Sequence, residues 1–389
     1  MAEFKVQKTY KEINEKIKKG KVVVVNAEEM IDIVEEKGAV KAAQEIDIVT
    51  TGTFGAMCSS GALLNVGHAT PKMKISRAKL NGVPAYCGLA AVDLYIGASE
   101  LPDEDPRNTV YPGEFRYGGA HVIQDLLSGK PVIMEAWAYG TDCYPRKYLK
   151  KELLLHELRN AILLNPRNAY QNYNCAVNST PRTIYTYMGA LKPQFGNATY
   201  STAGQISPLM NDPYFKTIGV GTRIFLGGTQ GYVAFYGTQH VTEVPRTPNG
   251  IPTEGAGTLC VIGDLKRMDS QWIVAASIQG YGVSMYVGIG VPIPILNEEM
   301  ARFTAVRDAD IVTQIIDYGN DYPKGIDQSL GTVSYKELRN GTIHVQGKEV
   351  AVTPMASYPK ALEISNILKE EIQKGRFYLG EPQATLTQL

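Results

Sequence analysis

Apolar and polar positions follow two different periods along this 389-residue chain, and the change of period divides it. Residues 1–21 carry charges throughout without the apolar stretch of a secretory signal, which predicts a surface helix. Next, 21–25 (KVVVV) predicts a strand. Residues 27–46 predict a helix broken at Gly38, and 46–50 (IDIVT) a second short strand. A similar alternation recurs, with a helix expected over 121–128, a strand over 131–137 (PVIMEAW) and a helix over 147–164 ended by Asn165-Pro166. From 217 to 296 the texture shifts to short β-branched and aromatic runs punctuated by glycine, which predicts strands. The tail alternates over 342–352, as a hairpin turning at Gly347-Lys348 would, and ends in an amphipathic helix over 358–374.

These elements imply an α/β class, in the mixed α+β sense. A βαβ-type N-terminal half is followed by a strand-rich, glycine-rich middle and a small α+β C-terminal lobe. The expected division is 1–300 as core and 301–389 as a lobe packed on it, with a soft boundary that leaves a single domain open.

Composition narrows the function. Hydrophobic residues at 44% and charged residues at 20% match a soluble globular chain. Lys plus Arg equals Asp plus Glu at 39 each, which removes the electrostatic footprint of a general nucleic-acid or anionic-membrane binder and favours a small-molecule partner. The long apolar run over 273–296 is interrupted by Gly280, Gly282, Gly288, Gly290, Pro292 and Pro294, so it reads as buried strands and turns rather than a membrane span. Five cysteines without a CxxC pair argue against a disulfide framework, and the expected location is cytoplasmic.

Two cysteines stand in loops that follow expected strands. Cys143, in AYGTDCYPRK, precedes an expected helix, whose N-terminus together with Arg146, Lys147, Lys150 and Lys151 would stabilise a thiolate; Asp142 opposes this. Cys58, in TTGTFGAMCSSG, lies among small residues that let a backbone approach a ligand, and its N–H groups with those of Ser59 and Ser60 could hold an anion if they cap a helix. Cys87 and Cys260 sit in apolar runs and read as core, whereas Cys175 lies in a polar stretch where exposure is expected. His68 follows Cys58 closely enough to share its site as a proton carrier. Arg116, Arg146, Arg167 and Arg182 occupy loop-like surroundings from which a guanidinium could grip a carboxylate. Each of these residues has a purely structural alternative. No dinucleotide fingerprint, P-loop, HExxH, GxSxG or paired Cys/His spacing is present.

Several long words resemble the homocysteine-biosynthesis family of methanogens and other anaerobes, the L-aspartate semialdehyde sulfurtransferases. They are VTTGTFGAMCSSGALLNVGH (49–68), LNGVPAYCGLAAVDLYIGA (80–98), PGEFRYGGAHVIQDLLSGKPV (112–132), AYGTDCYPRK (138–147), NPRNAYQNYN (165–174) and YPKALEISNILKEEIQKGRFYLGEP (358–382). The resemblance implies a persulfide-forming Cys143 with Cys58 as its partner, and an acceptor, L-aspartate semialdehyde, reduced to homocysteine. His68 then becomes a candidate proton carrier, and Arg146, Arg116, Asn168 and Asn172 become candidates for substrate binding. It further implies a separate ferredoxin-like electron donor, since no ferredoxin-type cysteine run is present here. Some relatives carry C-terminal nucleotide-sensing modules for which this chain leaves no room, so regulation of that kind is not expected. A homodimer is the base-rate assembly. No cofactor is required by the sequence. One alternative is a [4Fe–4S] sulfur carrier with Cys58, Cys143 and a third cysteine as ligands; another is a nucleotide- or CoA-binding α/β protein.

Overall fold

The computed structural model describes residues 4–321 and 328–386. The run Tyr10–Lys18 is helical because Thr9 and Glu12 close a reciprocal cap, and its Ile13 and Ile17 are fully buried. Val24–Asn26 and Ile48–Thr50 pair in parallel, joined by the helix Ala27–Glu45, which Asn26 and Glu29 cap and Gly38 kinks. A third strand, Pro292–Pro294, adds antiparallel to Ile48–Thr50. The expected strand–helix–strand start is therefore present, but its sheet is completed by a segment almost 250 residues further on.

Among the described residues, the largest sheet has nine strands and is antiparallel. At one end Gly282–Gly290 pairs with Ile273–Ile278, Arg223–Leu226 and Thr53–Ala56. Towards the other end Asn160–Asn168 lies between Leu259–Asp264 and Gly61–Asn65. The helix Tyr358–Gln373 crosses Gly282–Gly290 and the parallel pair, burying Ala361, Ile364, Leu368 and Ile372. It lies close because Gly288 and Gly290 present no side chain to it; a methyl at Gly290 would stand 2.9 Å from Ile364 Cγ2.

The expected helix over 147–164 is absent. Its place is taken by the strand Tyr148–Leu153, a short 3₁₀ turn, and the strand Asn160–Asn168. Lys, Leu and Glu favour a helix there only by tenths of a kcal/mol per residue. Tyr148–Leu153 instead pairs along its whole length with Val132–Trp137 in a four-stranded sheet, and Asn160–Asn168 buries Ala161, Leu163 and Asn165 on alternate positions.

A six-stranded sheet takes four strands from the 301–389 stretch and two, Asn174–Val177 and Ala198–Tyr200, from the middle of the chain. Cys175, expected to be exposed, is fully buried there, because Asn174–Val177 is sandwiched between Val312–Asp317 and Ala198–Tyr200. The tail hairpin, Thr342–Val345 with Lys348–Pro354, turns at Gln346-Gly347, one residue earlier than expected. Both turn residues have positive φ, as a tight two-residue hairpin requires.

Candidate functional site

Cys58 is the second residue of a tight turn after Thr53–Ala56, closed by the Ser60 N–H donating to the Met57 carbonyl at 3.1 Å. The chain then enters the strand Gly61–Asn65 rather than a helix, so the expected helix cap at Ser59 and Ser60 does not form. Pairing of Thr53–Ala56 with Gly282–Gly290 brings Ser284 beside the cysteine, and the thiol donates to Ser284 Oγ at 3.2 Å. The Tyr281 hydroxyl lies 4.0 Å from the sulfur.

Cys58 lines a cavity of about 360 Å³, within the range of small-molecule sites. Aromatic and hydroxyl side chains dominate its wall, including Tyr170, Tyr173, Tyr187, Tyr281 and Thr202. Among the described residues Arg167 is the sole charged one lining it. Burial pushes the Tyr170 phenol up to about 12, with the Arg167 guanidinium pulling down and the Cys58 sulfur pushing up, so this ring feels both groups. Behind the wall, hydroxyls form a chain: Tyr173 to Tyr187 at 2.6 Å, Tyr187 to Tyr318 at 2.7 Å, and Tyr318 to Asn174 Oδ1 at 3.0 Å. Burial, and then its two tyrosine neighbours, raise the Tyr187 phenol far above the ordinary tyrosine value, so it stays protonated.

Arg167 reaches the cavity through an irregularity in Asn160–Asn168. Three residue steps from Asn165 to Asn168 oppose two on the partner, from Val261 to Leu259, which is a β-bulge at Pro166-Arg167. The fully buried Asn165 fixes it: its Oδ1 accepts the Arg167 N–H at 3.0 Å, and its Nδ2 donates to Ser60 Oγ at 2.7 Å. Ser59 Oγ also donates to the Arg167 carbonyl at 3.4 Å. The turn that carries Cys58 is thereby stapled to the bulge that carries Arg167.

Cys143 lies elsewhere, exposed in the loop that joins Val132–Trp137 to Tyr148–Leu153. It is not among the residues lining the Cys58 cavity. No helix follows it, so a helix N-terminus does not act on its sulfur; Thr141 Oγ1 stands 3.6 Å away. Arg146 anchors this loop by donating to the carbonyls of Thr70 at 2.5 Å and Pro71 at 3.2 Å. His68, exposed, stacks on Tyr144 with ring centroids 6.1 Å apart, and so stands with the Cys143 loop rather than in the Cys58 cavity.

The remaining sequence candidates are engaged elsewhere. Arg116 is exposed and paired with Glu114 at 2.6 Å. The Asn172 amide donates to the Pro252 and Val312 carbonyls, both at 2.7 Å, and Asn168 Oδ1 accepts its neighbour's Ala169 N–H. Both asparagines are fully buried. Tyr173, Tyr187, Tyr281 and Ser284 escaped the sequence reading; the dense tyrosines of NPRNAYQNYN were the available signal. Among the described residues no three of Cys, His, Asp and Glu converge as metal ligands. Of the five cysteines only Cys58 is among the described residues lining the cavity; Cys87, Cys143, Cys175 and Cys260 lie outside it.

Residues 22–379 match the family described as "Homocysteine biosynthesis enzyme, sulfur-incorporation". The chain is 50% identical to the L-aspartate semialdehyde sulfurtransferase of Methanosarcina acetivorans over 98% of its length and 72% of that protein's. It is likewise 50% identical to the L-aspartate semialdehyde sulfurtransferase of Methanocaldococcus jannaschii, over 98% of this chain and 74% of the relative. An uncharacterised protein of Methanothermobacter thermautotrophicus is 28% identical over 87% of this chain and 74% of its own. No solved structure matches. The two cysteine loops and the cavity therefore lie within a match that spans nearly the whole chain, which belongs to the sulfur-incorporating homocysteine biosynthesis enzymes.

Proposed function

We propose that this chain is an L-aspartate semialdehyde sulfurtransferase that makes homocysteine in the cytoplasm, with Cys143 forming a persulfide and Cys58 serving the acceptor inside the cavity. The observation that carries this reading is Cys58 itself, a cysteine hydrogen-bonded to Ser284 in a cavity sized for a small molecule. Exposure suits Cys143 to meet a sulfur donor, and enclosure suits Cys58 to meet an aldehyde away from water. The two 50%-identical relatives support the acceptor by their names.

The Cys58 thiolate attacks the outer sulfur of the Cys143 persulfide, which returns Cys143 as a thiolate and leaves the persulfide on Cys58. That step requires the Cys143 loop to come to the cavity. The outer persulfide sulfur then bonds to the aldehyde carbon. Two electrons cleave the S–S bond and regenerate Cys58, and the aldehyde oxygen leaves as water. Two further electrons reduce the resulting C=S carbon to the thiol. In all, four electrons and four protons are consumed, and a ferredoxin-like one-electron carrier protein supplies the electrons. Tyr281, at 4.0 Å from the sulfur, is placed to give a proton to the aldehyde oxygen as the C–S bond forms.

The test is anaerobic homocysteine formation from aspartate semialdehyde, a persulfide donor and a low-potential reductant. Cys143→Ala is expected to abolish both product and the added sulfur atom seen by intact mass. Cys58→Ala is expected to abolish product while leaving the added sulfur on Cys143. An active Cys143→Ala enzyme overturns the persulfide route.

A further inference from the structure

We infer that Arg167 and Tyr173 form the acceptor-binding subsite of the Cys58 cavity, Arg167 receiving a carboxylate and Tyr173 an ammonium, so that the cavity selects a short 2-amino carboxylic acid. Its application to an aldehyde acceptor rests on the function proposed above.

Charge is the first ground. Among the described residues Arg167 is the sole charged one lining the cavity, and its guanidinium has no ion-pair partner. A half-buried guanidinium facing an enclosed space without a counter-ion is poised for an anionic ligand, and its planar fork fits a carboxylate bidentately. The other three arginines singled out from sequence do not line the cavity, and all have partners: Arg116 with Glu114, Arg146 with two carbonyls, and Arg182 with Tyr111.

Placement is the second ground. The bulge at Pro166-Arg167 turns this side chain out of the strand's alternation, and Asn165 and Ser59 tie it to the turn that carries Cys58. A carboxylate held by Arg167 therefore lies in fixed relation to the sulfur, with Tyr170 sensing both.

Proton bookkeeping along the tyrosine chain is the third. Asn174 Oδ1 can only accept, so the Tyr318 proton points to it; the Tyr187 proton then points to Tyr318, and the Tyr173 proton to Tyr187. Tyr173 lines the cavity with its proton committed inward and its oxygen left as an acceptor. With no carboxylate among the described residues of the lining, this phenol oxygen is suited to an ammonium beside the carboxylate that Arg167 holds.

Arg167→Gln is expected to raise the KM for aspartate semialdehyde about 10- to 100-fold, the size of a lost charge-assisted pair, with a smaller change in kcat and unchanged sulfur loading of Cys143. Arg167→Lys keeps charge without the fork and is expected to fall between. Butanal, which lacks both groups, is expected to lose far less in kcat/KM than aspartate semialdehyde in Arg167→Gln. Independently of turnover, calorimetry is expected to show 2-aminobutyrate binding the wild type, no binding to Arg167→Gln, and no preference of Tyr173→Phe for 2-aminobutyrate over butyrate. Absence of binding to wild type, or equal binding to Arg167→Gln, overturns the subsite. If 2-aminobutyrate binds through Arg167 but aspartate semialdehyde is not turned over, the subsite stands and the proposed reaction falls.

Discussion

The five thiols should separate widely in reactivity, because the fold buries them to different depths. Burial pushes Cys175 up to about 12 and Cys87 up to about 11. At pH 8 their thiolate fractions are then about 10⁻⁴ and 10⁻³, whereas a free cysteine of pKa near 8.5 is about a quarter ionised. Alkylation runs through the thiolate, so Cys175 should lag a free thiol by roughly 10³-fold from ionisation alone, and further because reagent reaches it only when the six-stranded sheet opens. Exposed Cys143 should be modified first, and Cys260, whose thiol is also raised by burial, should lag it. The assay is a timed pulse of iodoacetamide on anaerobic, reduced protein, quenched and read by peptide mass spectrometry at pH 7, 8 and 9. The Cys87 and Cys175 rates should climb about tenfold per pH unit. Labelling of Cys175 or Cys87 as fast as Cys143 would falsify the placement of these strands.

Asp47, buried, accepts from Lys16 at 2.6 Å, Lys8 at 3.0 Å and the Val23 N–H at 3.0 Å; burial pushes its carboxyl up, but these bonds outweigh that and hold it below the usual range. Asp47→Asn should cost about 2–4 kcal/mol in urea unfolding, since Lys8 stays half-enclosed without its charge partner. As the folded carboxyl lies below the unfolded value of about 3.9, this difference from wild type should be complete above about pH 5 and vanish as pH falls through the folded value. Gly119→Ala would set a methyl 1.8 Å from the Gly97 carbonyl oxygen, so thermal scans should show a loss beyond about 3 kcal/mol, or no soluble protein. Arg146→Ala frees the Cys143 loop from Thr70 and Pro71, and limited trypsin digestion should then cut at Lys147 or Lys150 several-fold faster while the melting temperature changes little.

Local patterns were legible where one short segment decides the outcome. The KVVVV and IDIVT strands and the Gly38 break follow from periodicity and a helix breaker, and the small residues around Cys58 marked the turn that lines the cavity. Distant pairing was not. Nothing within 147–164 reveals that its Lys-, Leu- and Glu-rich run will pair with 132–137 and then with 61–65 and 259–264, so helix propensity misled there. Arg167 was among the arginines marked as able to grip a carboxylate, but the same error hid how it is positioned: Asn165-Pro166 looks like a helix stop, whereas in the sheet it opens a bulge. Cys175 looked exposed among Asn, Gln and Tyr because its flanking strands arrive from about 25 and 140 residues away.

The parallel pair Val24–Asn26 and Ile48–Thr50 has a consequence for how the protein is made. Its third strand is Pro292–Pro294, and its covering helix is Tyr358–Gln373. On a ribosome adding 5–20 residues per second, roughly 15–60 s pass between emergence of the pair and emergence of that helix. Throughout that interval an open strand edge and an uncovered apolar face are presented to the cell, so this pair, made before its partners, waits long to be sealed. Nascent chains halted before residue 358 should therefore bind chaperones through the valine-rich segment at 22–25, and emergence of the covering helix, rather than local folding, should end that dependence.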